Sequence, residues 1–317
     1  MGKISPFALG ATLYMPATRP DILDVMQGTK LPGLRSMVIC LEDAVAAMDV
    51  EHALDALRAV LSQARSNASH TDTASGPLVF IRPRDAQMAG SLNDWPDIAC
   101  VDGFVLPKLS MANLSQWAGA VCNPDLLLMP TLETREVFHS SAMSDLGFAM
   151  HEALGERVLA LRIGGNDLMS CLGLRRNPAT TLYQTPMGYV IPMLAGVLGA
   201  QGFALTGPVF EQLATPQLLA EELQLDIAHG LVGKTAVHPS QIAPINEAFR
   251  VSIEDLNCAR MIVNDTAPAV FRHNDAMLEP ATHHSWAVNI LERAKWHGVK
   301  PVDGAIAEPV RLAEVAR

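Results

Sequence analysis

Residues able to bind a metal or an anion recur in this 317-residue chain directly after short apolar runs. Glu42 and Asp43 follow the second run, Arg82 and Arg84 the third, and Lys108 the fourth. Glu133 follows the fifth, Asn166 and Asp167 the sixth, and His238 the eighth. Glu133 and Asp167 are one β-α-β unit apart, which would set them on neighbouring strands roughly 5 Å from each other. Mg²⁺ takes oxygen ligands at about 2.1 Å and uses one or two carboxylates, with water and substrate completing its shell. Two carboxylates on adjacent strand ends meet that demand. The competing reading is that each merely caps the next helix, where an acid favours the positive end of the dipole. No His-x-x-x-His pair or cysteine cluster accompanies them, which argues against zinc.

Arg82 could grip a carboxylate through two parallel hydrogen bonds and stay charged throughout a reaction. It could equally form a structural ion pair with Glu42 or Asp43. Gly164-Gly165 permits close backbone approach to a ligand, without the spacing of a dinucleotide-binding loop. His238 is the one histidine of ten at a strand end, and a solvated or core-satisfied imidazole is the simpler reading of each. No serine sits in a Gly-x-Ser-x-Gly elbow, which argues against a serine hydrolase.

The elements that would carry these groups alternate. Eight short apolar runs, at residues 12–16, 37–41, 78–81, 103–107, 126–130, 158–163, 203–205 and 235–237, are separated by longer amphipathic stretches. Most runs are apolar at nearly every position, as parallel strands buried on both faces require. Stretches such as 50–64 and 136–154 carry helical spacing; in the second, Met143, Leu146, Met150 and Leu154 share a face. The alternation predicts a (β/α)₈ barrel over residues 1–250, with a doubly wound open sheet as the alternative. Residues 253–263 and 282–297 read as two further helices in a C-terminal extension, 251–317, which ends in a tail containing Pro301 and Pro309. The polar stretch 66–76 reads as a surface loop.

Composition bounds the rest. Apolar residues make up 49 % of the chain, ample for a large core. A net charge of −10 argues against nucleic-acid binding, whose affinity comes from Lys and Arg on phosphates. Five scattered cysteines without a C-x-x-C pair read as reduced, mostly buried thiols of a cytoplasmic protein. No apolar run is long enough to span a membrane. Lys3 and Pro6 make a poor signal peptide, and Pro6 stands where a myristoylation motif after Gly2 wants Ser or Thr.

Taken in order, these strand ends resemble the citrate lyase β-subunit family, within the HpcH/HpaI aldolase superfamily that includes malyl-CoA lyase. Leu13-Tyr14-Met15-Pro16 resembles the opening strand of the family, and Cys40-Leu41-Glu42-Asp43-Ala44-Val45 its D-L-E-D-A-V. Ile81-Arg82 resembles V-R-x-N, Leu106-Pro107-Lys108 resembles L-P-K, and Leu132-Glu133-Thr134 resembles I-E-T. Arg162 through Leu168 resembles F-G-x-x-D-L, and Gly233-Lys234 through Ile242 resembles G-K-x-x-I-H-P-x-Q-I. Departures include Gly10-Ala11 in place of R-S, Cys40 for the first acid, and Arg84 for the asparagine.

The resemblance implies a Mg²⁺-dependent lyase or aldolase that makes or breaks a carbon–carbon bond through an enolate beside a carboxylate. In it Glu133 and Asp167 become the metal ligands and Arg82 the cation that steadies the enolate oxygen. Glu42 and Asp43 hold waters on the metal. Lys108, Gly164, Gly165 and His238 join the substrate side. Glu279, in a segment similar to the K-M-I-D-x-P of the family, becomes an acid or base supplied to a neighbouring subunit of a homotrimer or a multiple of one. The expected partner is a small acidic substrate, free or as a CoA thioester. With Arg84 beside Arg82, a compact di-anionic head group is expected to be recognised more strongly than a CoA tail; the alternative pairs Arg84 with Asp85. A thioesterase on the same site and a catalytically silent binding barrel remain the competing functions.

Overall fold

A computed structural model describes residues 4–68 and 76–301. Gly2, Lys3, most of the polar stretch 66–76, and the tail with Pro309 lie outside the described residues. The chain divides between Phe249 and Arg250 into two compact units.

The first unit alternates strand and helix, with two helices in succession between its sixth and seventh strands. In order these are β1 (Gly10–Pro16), α1 (Ile22–Met26), β2 (Ser36–Cys40), α2 (Val50–Ala68), β3 (Leu78–Arg82), α3 (Ala86–Asn93), β4 (Gly103–Leu106), α4 (Leu114–Ala120), β5 (Leu127–Leu132) and α5 (Ser140–Leu154). They continue with β6 (Leu161–Ile163), α6 (Gly165–Cys171), α7 (Met187–Gly199), β7 (Leu205–Thr206), α8 (Pro216–Ala228), β8 (Gly233–Ala236) and α9 (Ile242–Ala248). Every strand pairing is parallel, and β1 lies between β2 and β8. A parallel bridge between Gly207 and Lys234 brings β7 to β8 and completes the ring. The fold is therefore an eight-stranded parallel barrel surrounded by helices, not an open sheet.

The pleat sorts the core into two layers. Val38, Phe80, Val105 and Met129 pack with Leu9 and Leu159 as one cluster inside the ring. Their strand neighbours Met37, Ile39, Val79, Ile81, Phe104, Leu106 and Leu128 face outward into a larger cluster with the helices. Every residue of β2 is buried, as a strand covered on both faces must be. Met143, Leu146, Met150 and Leu154 are all buried on α5. That helix starts at Ser140 rather than 136, because His139 adopts extended backbone after a 3₁₀ turn at Arg135–Phe138. The sixth and seventh strands are shorter than their apolar runs: Val158 makes only an isolated bridge to Leu128. An apolar run records burial, whereas a strand requires ladder pairing, and the two part company there.

The second unit contains α10 (Ile253–Ile262), β9 (Phe271–His273), β10 (Ala276–Leu278) and α11 (Pro280–His297). Leu256, Ala259 and Ile262 of α10 pack with Ala287 and Ile290 of α11. Pro280 opens α11 two residues before the expected start, where its missing N–H is no loss. The antiparallel β9–β10 hairpin was not legible in the sequence. Its strands are three residues each and largely exposed, so they carry no alternating pattern. Among the described residues no helix is long and apolar enough to cross a membrane. All five cysteines are free, and only Cys40 is buried, contrary to the expectation that most would be.

Candidate active site

The barrel brings the strand-end residues together at the C-terminal ends of its strands. Arg82 is the last residue of β3, Glu133 follows β5, and Glu42 and Asp43 follow β2. Lys108 follows β4 with φ of 51°, a left-handed turn that aims its backbone N–H inward. That N–H donates to Glu133 Oε1 at 2.8 Å, and Arg82 Nη2 donates to the same oxygen at 3.0 Å. Arg82 Nη2 also lies 2.9 Å from Glu42 Oε2 and 3.8 Å from Asp43 Oδ2. Lys108 Nζ donates to Glu42 Oε1 at 2.7 Å. Arg82 thus makes the ion pair with Glu42 that the sequence allowed, and a second one with Glu133.

Burial and charge tune the centre. Burial, together with the fields of Asp167 and Glu42, pushes the Glu133 carboxyl up to about 7, against the opposing pull of Arg82 and the Lys108 N–H. Burial also works against charge on Arg82, but Glu133, Tyr14 and Glu42 more than offset it and hold the guanidinium firmly protonated. Lys108 is likewise favoured as a cation, first by its hydrogen bond to Glu42. Asp167 lies half-buried in the first turn of α6. Its charge is felt by both Glu133 and Lys108.

Four carboxylates (Glu42, Asp43, Glu133, Asp167) therefore face two cations (Arg82, Lys108), an excess that a divalent ion would balance. Among the described residues no cluster of three or more His, Cys, Asp or Glu could hold a metal. The donors suited to Mg²⁺ are the pair Glu133 and Asp167, which is the number of carboxylates that ion ordinarily uses. Both hydrogen bonds to Glu133 fall on Oε1, leaving Oε2 available. A Cβ at Gly164 would lie 2.4 Å from that Oε2, so only glycine leaves the carboxylate its place. At Gly165 a Cβ would come within 2.8 Å of Pro208. The residues present fit the ion.

Other strand-end residues are otherwise engaged. Arg84 donates to the carbonyls of Leu41 and Val45, at 3.3 and 3.0 Å, and so fastens the loop that carries Glu42 and Asp43. Asp85 instead caps α3 by accepting from the Met88 N–H. His238 is exposed; its Nδ1 accepts from the Ser240 N–H at 3.2 Å, closing a 3₁₀ turn. Lys234 points out of the barrel, where Glu222 and Asp226 of α8 accept from it at 2.9 and 2.7 Å in complete burial. Arg176 joins Glu222 at 2.6 Å, and Tyr183 donates to Asp226 at 2.8 Å. This network belongs to the layer between barrel and helices. Glu279 is the N-cap residue of α11 in the second unit.

Residues that strand-end reasoning missed lie inside the ring. The Arg162 guanidinium donates to Thr235 Oγ1 and stands 5.2 Å from the Tyr14 ring centroid. The available signal was a lone charge in the middle of an apolar run.

A model for C–C bond lyases of the TIM-barrel fold matches residues 3–299. A (3S)-malyl-CoA thioesterase of Cereibacter sphaeroides is 27 % identical over 309 residues, covering 95 % of this chain and 90 % of the relative. A citrate lyase subunit beta-like protein of Deinococcus radiodurans is 25 % identical over 294 residues, covering 86 % and 90 %. Among solved structures, protein CitE of Mycobacterium tuberculosis, in complex with magnesium, acetoacetate and coenzyme A, superposes with a TM-score of 0.64. That match is 21 % identical and covers 91 % of this chain and 99 % of that one.

Proposed function

The chain belongs to the C–C bond lyase family of the TIM-barrel fold, and we propose that it is a Mg²⁺-dependent lyase acting through an enolate on a small carboxylate-bearing substrate. The observation that carries this reading is Arg82, a buried cation 3.0 Å from Glu133 and 2.9 Å from Glu42 at the mouth of the barrel. Glu133 and Asp167 would hold the ion. When bound, Mg²⁺ supplies Lewis-acid polarisation of a substrate oxygen.

The side chains of the chain itself do the rest. Cleaving a β-hydroxy acid removes the hydroxyl proton, turns the hydroxyl carbon into a carbonyl, and leaves the C–C bonding pair as an enolate on the departing fragment. Arg82, held in place by two carboxylates, presents a fixed positive charge to that developing oxyanion, the kind of preorganised group that stabilises a transition state. Glu42 orients Arg82 and Lys108 together, and Arg84 holds the Glu42 loop. Gly164 and Gly165 let substrate approach the backbone closely. Glu279 serves as acid or base at the site of a neighbouring subunit in a homotrimer.

A thioester substrate is supported by the malyl-CoA thioesterase relative and by the coenzyme A bound to protein CitE. The same relative favours a second reading, thioester hydrolysis at this site. Incubation of the purified protein and Mg²⁺ with acyl-CoAs and free hydroxy acids, followed by product analysis, separates the two. A carbonyl fragment plus a shortened acid or thioester supports lyase chemistry. Free CoA with the carbon chain intact supports hydrolysis. Tight ligand binding without any product would leave a silent barrel.

A further inference from the structure

One group of buried charges has no part in the proposed chemistry. Glu222 of α8 and Lys234 of β8 are completely buried, and Arg176, between α6 and α7, is nearly so. Glu222 accepts from Arg176 Nη1 at 2.6 Å and Nη2 at 3.2 Å, from Lys234 at 2.9 Å, and from the Leu182 N–H at 2.9 Å. Burying charges is costly, and well-packed apolar side chains would hold such a layer at least as firmly. What the network supplies that an apolar layer would not is fixed direction.

Two lines of contact run from it to α6. Arg176 Nη2 donates to the Val209 carbonyl at 2.7 Å and Nε to Glu211 at 2.8 Å, which secures the loop after β7. Pro208, the residue before Val209, meets the first residue of α6: a Cβ on Gly165 would lie 2.8 Å from the Pro208 Cβ. Glu222 secures the other line through Leu182, whose Cδ1 would lie 3.4 Å from that same Cβ. Three residues on, Thr185 Oγ1 lies 3.9 Å from Met169 Sδ, further along α6. Tyr183, next to Leu182, donates to Asp226, which also accepts from Lys234. Seven residues are too few for α6 to hold itself by its own hydrogen bonds, and Asp167 sits in its first turn. The placement of that carboxylate therefore depends on Leu182 and Pro208 closing on Gly165.

We propose that Arg176 and Glu222 are positioning residues for the metal: by locking Leu182 and Pro208 against Gly165, they set where Asp167 stands relative to Glu133. The inference rests on the reading of Glu133 and Asp167 as the Mg²⁺ pair. Mg²⁺ demands near-ideal octahedral geometry, so a small displacement of one ligand is felt in affinity. Lys234 has a supporting part, holding Glu222 and Asp226 side by side in burial.

Calorimetric titration of Mg²⁺ into the full chain, without substrate, tests this, with urea unfolding run on every variant. Arg176→Met should bind Mg²⁺ at least about tenfold more weakly, the low end of what losing an outer-shell partner of a metal ligand costs. Arg176→Lys, which keeps the charge but loses the fork, should recover part of that loss. Tyr183→Phe removes one hydrogen bond of the same network and should weaken Mg²⁺ binding by about threefold; it carries the test if Arg176→Met does not fold. Leu57→Ala opens a cavity in the core on α2 and should lower stability while leaving Mg²⁺ affinity unchanged. A merely structural network would behave like that control. Unchanged affinity in folded Arg176→Met, or in Tyr183→Phe where Arg176→Met does not fold, overturns the assignment and leaves the metal reading intact. Equal weakening in Leu57→Ala overturns it as well. A wild type that binds no Mg²⁺ overturns both.

Discussion

Replacing Arg82 by lysine keeps one positive charge at the end of β3 but exchanges a planar, delocalised guanidinium for a compact ammonium on a different stem, where the guanidinium now meets Glu133 and Glu42 together. In the native site both contacts run through Nη2, at 3.0 and 2.9 Å, and the side chain is 11 % exposed. A lysine ammonium is compact and cannot reproduce that geometry from the same backbone position. Hydrogen bonds to charged groups contribute about 1.5–3 kcal/mol each, so losing one sets the stability cost near that range. Glu133 softens the loss, because a carboxyl already pushed up to about 7 can take a proton when its cation withdraws. Catalysis has no such relief. A missing oxyanion-type donor typically lowers kcat by about 10²–10³. The assay is therefore paired: urea unfolding for stability, and turnover of the best substrate from the product screen, at saturating Mg²⁺, for rate. Stability should fall by no more than about 3 kcal/mol while kcat falls by at least about a hundredfold. Near-normal kcat in folded Arg82→Lys and Arg82→Ala would show that Arg82 only holds the loop, and the enolate argument would fail.

Gly164→Ala places a methyl 2.4 Å from Glu133 Oε2, so Mg²⁺ affinity should fall at least about tenfold while overpacking costs about 1–3 kcal/mol of stability; calorimetry and urea unfolding read the two separately. Asp21 accepts from Arg19 and Lys30, each at 2.8 Å, and those bonds hold its carboxyl well below the usual range. A depressed folded pKa adds stability above the unfolded value of about 3.9 and loses it as pH falls toward the folded one. Because Arg19 and Lys30 are about half exposed, the effect is about 1 kcal/mol; Asp21→Asn should be destabilised by that amount at pH 7 and match wild type near pH 1, as followed by urea unfolding. A homotrimer, the proposed assembly, should appear by light scattering at micromolar concentration. Mixing Glu279→Gln chains with Glu133→Ala chains should then restore activity that neither has alone, and no recovery would place Glu279 outside the shared site.

Much of the barrel was legible because burial on both faces writes continuous apolar runs, and eight of them alternate with helical spacing. The chemistry at the mouth was legible for the same reason. Glu133 and Lys108 stand out as the first charged residues after such runs, and the ring then carries them to one end. Side-chain direction was less legible. Lys234 and Arg162 are both charged residues within strands, yet one points outward to α8 and the other inward to Tyr14. Strand parity decides which, and parity needs a register that β6, β7 and β8 are too short to reveal in sequence. Arg84 illustrates a different gap: its partners are the backbone carbonyls of Leu41 and Val45, which no side-chain pattern announces.

The central claim is that Glu133 and Asp167 jointly hold one catalytic Mg²⁺. Calorimetric titration of metal into wild type, Glu133→Ala and Asp167→Ala addresses it without any substrate, with circular dichroism confirming that each variant is folded. The account predicts one Mg²⁺ per chain in wild type, with Mn²⁺ able to replace it, and an affinity at least about tenfold weaker in each variant. Unchanged Mg²⁺ affinity in both folded variants would contradict it.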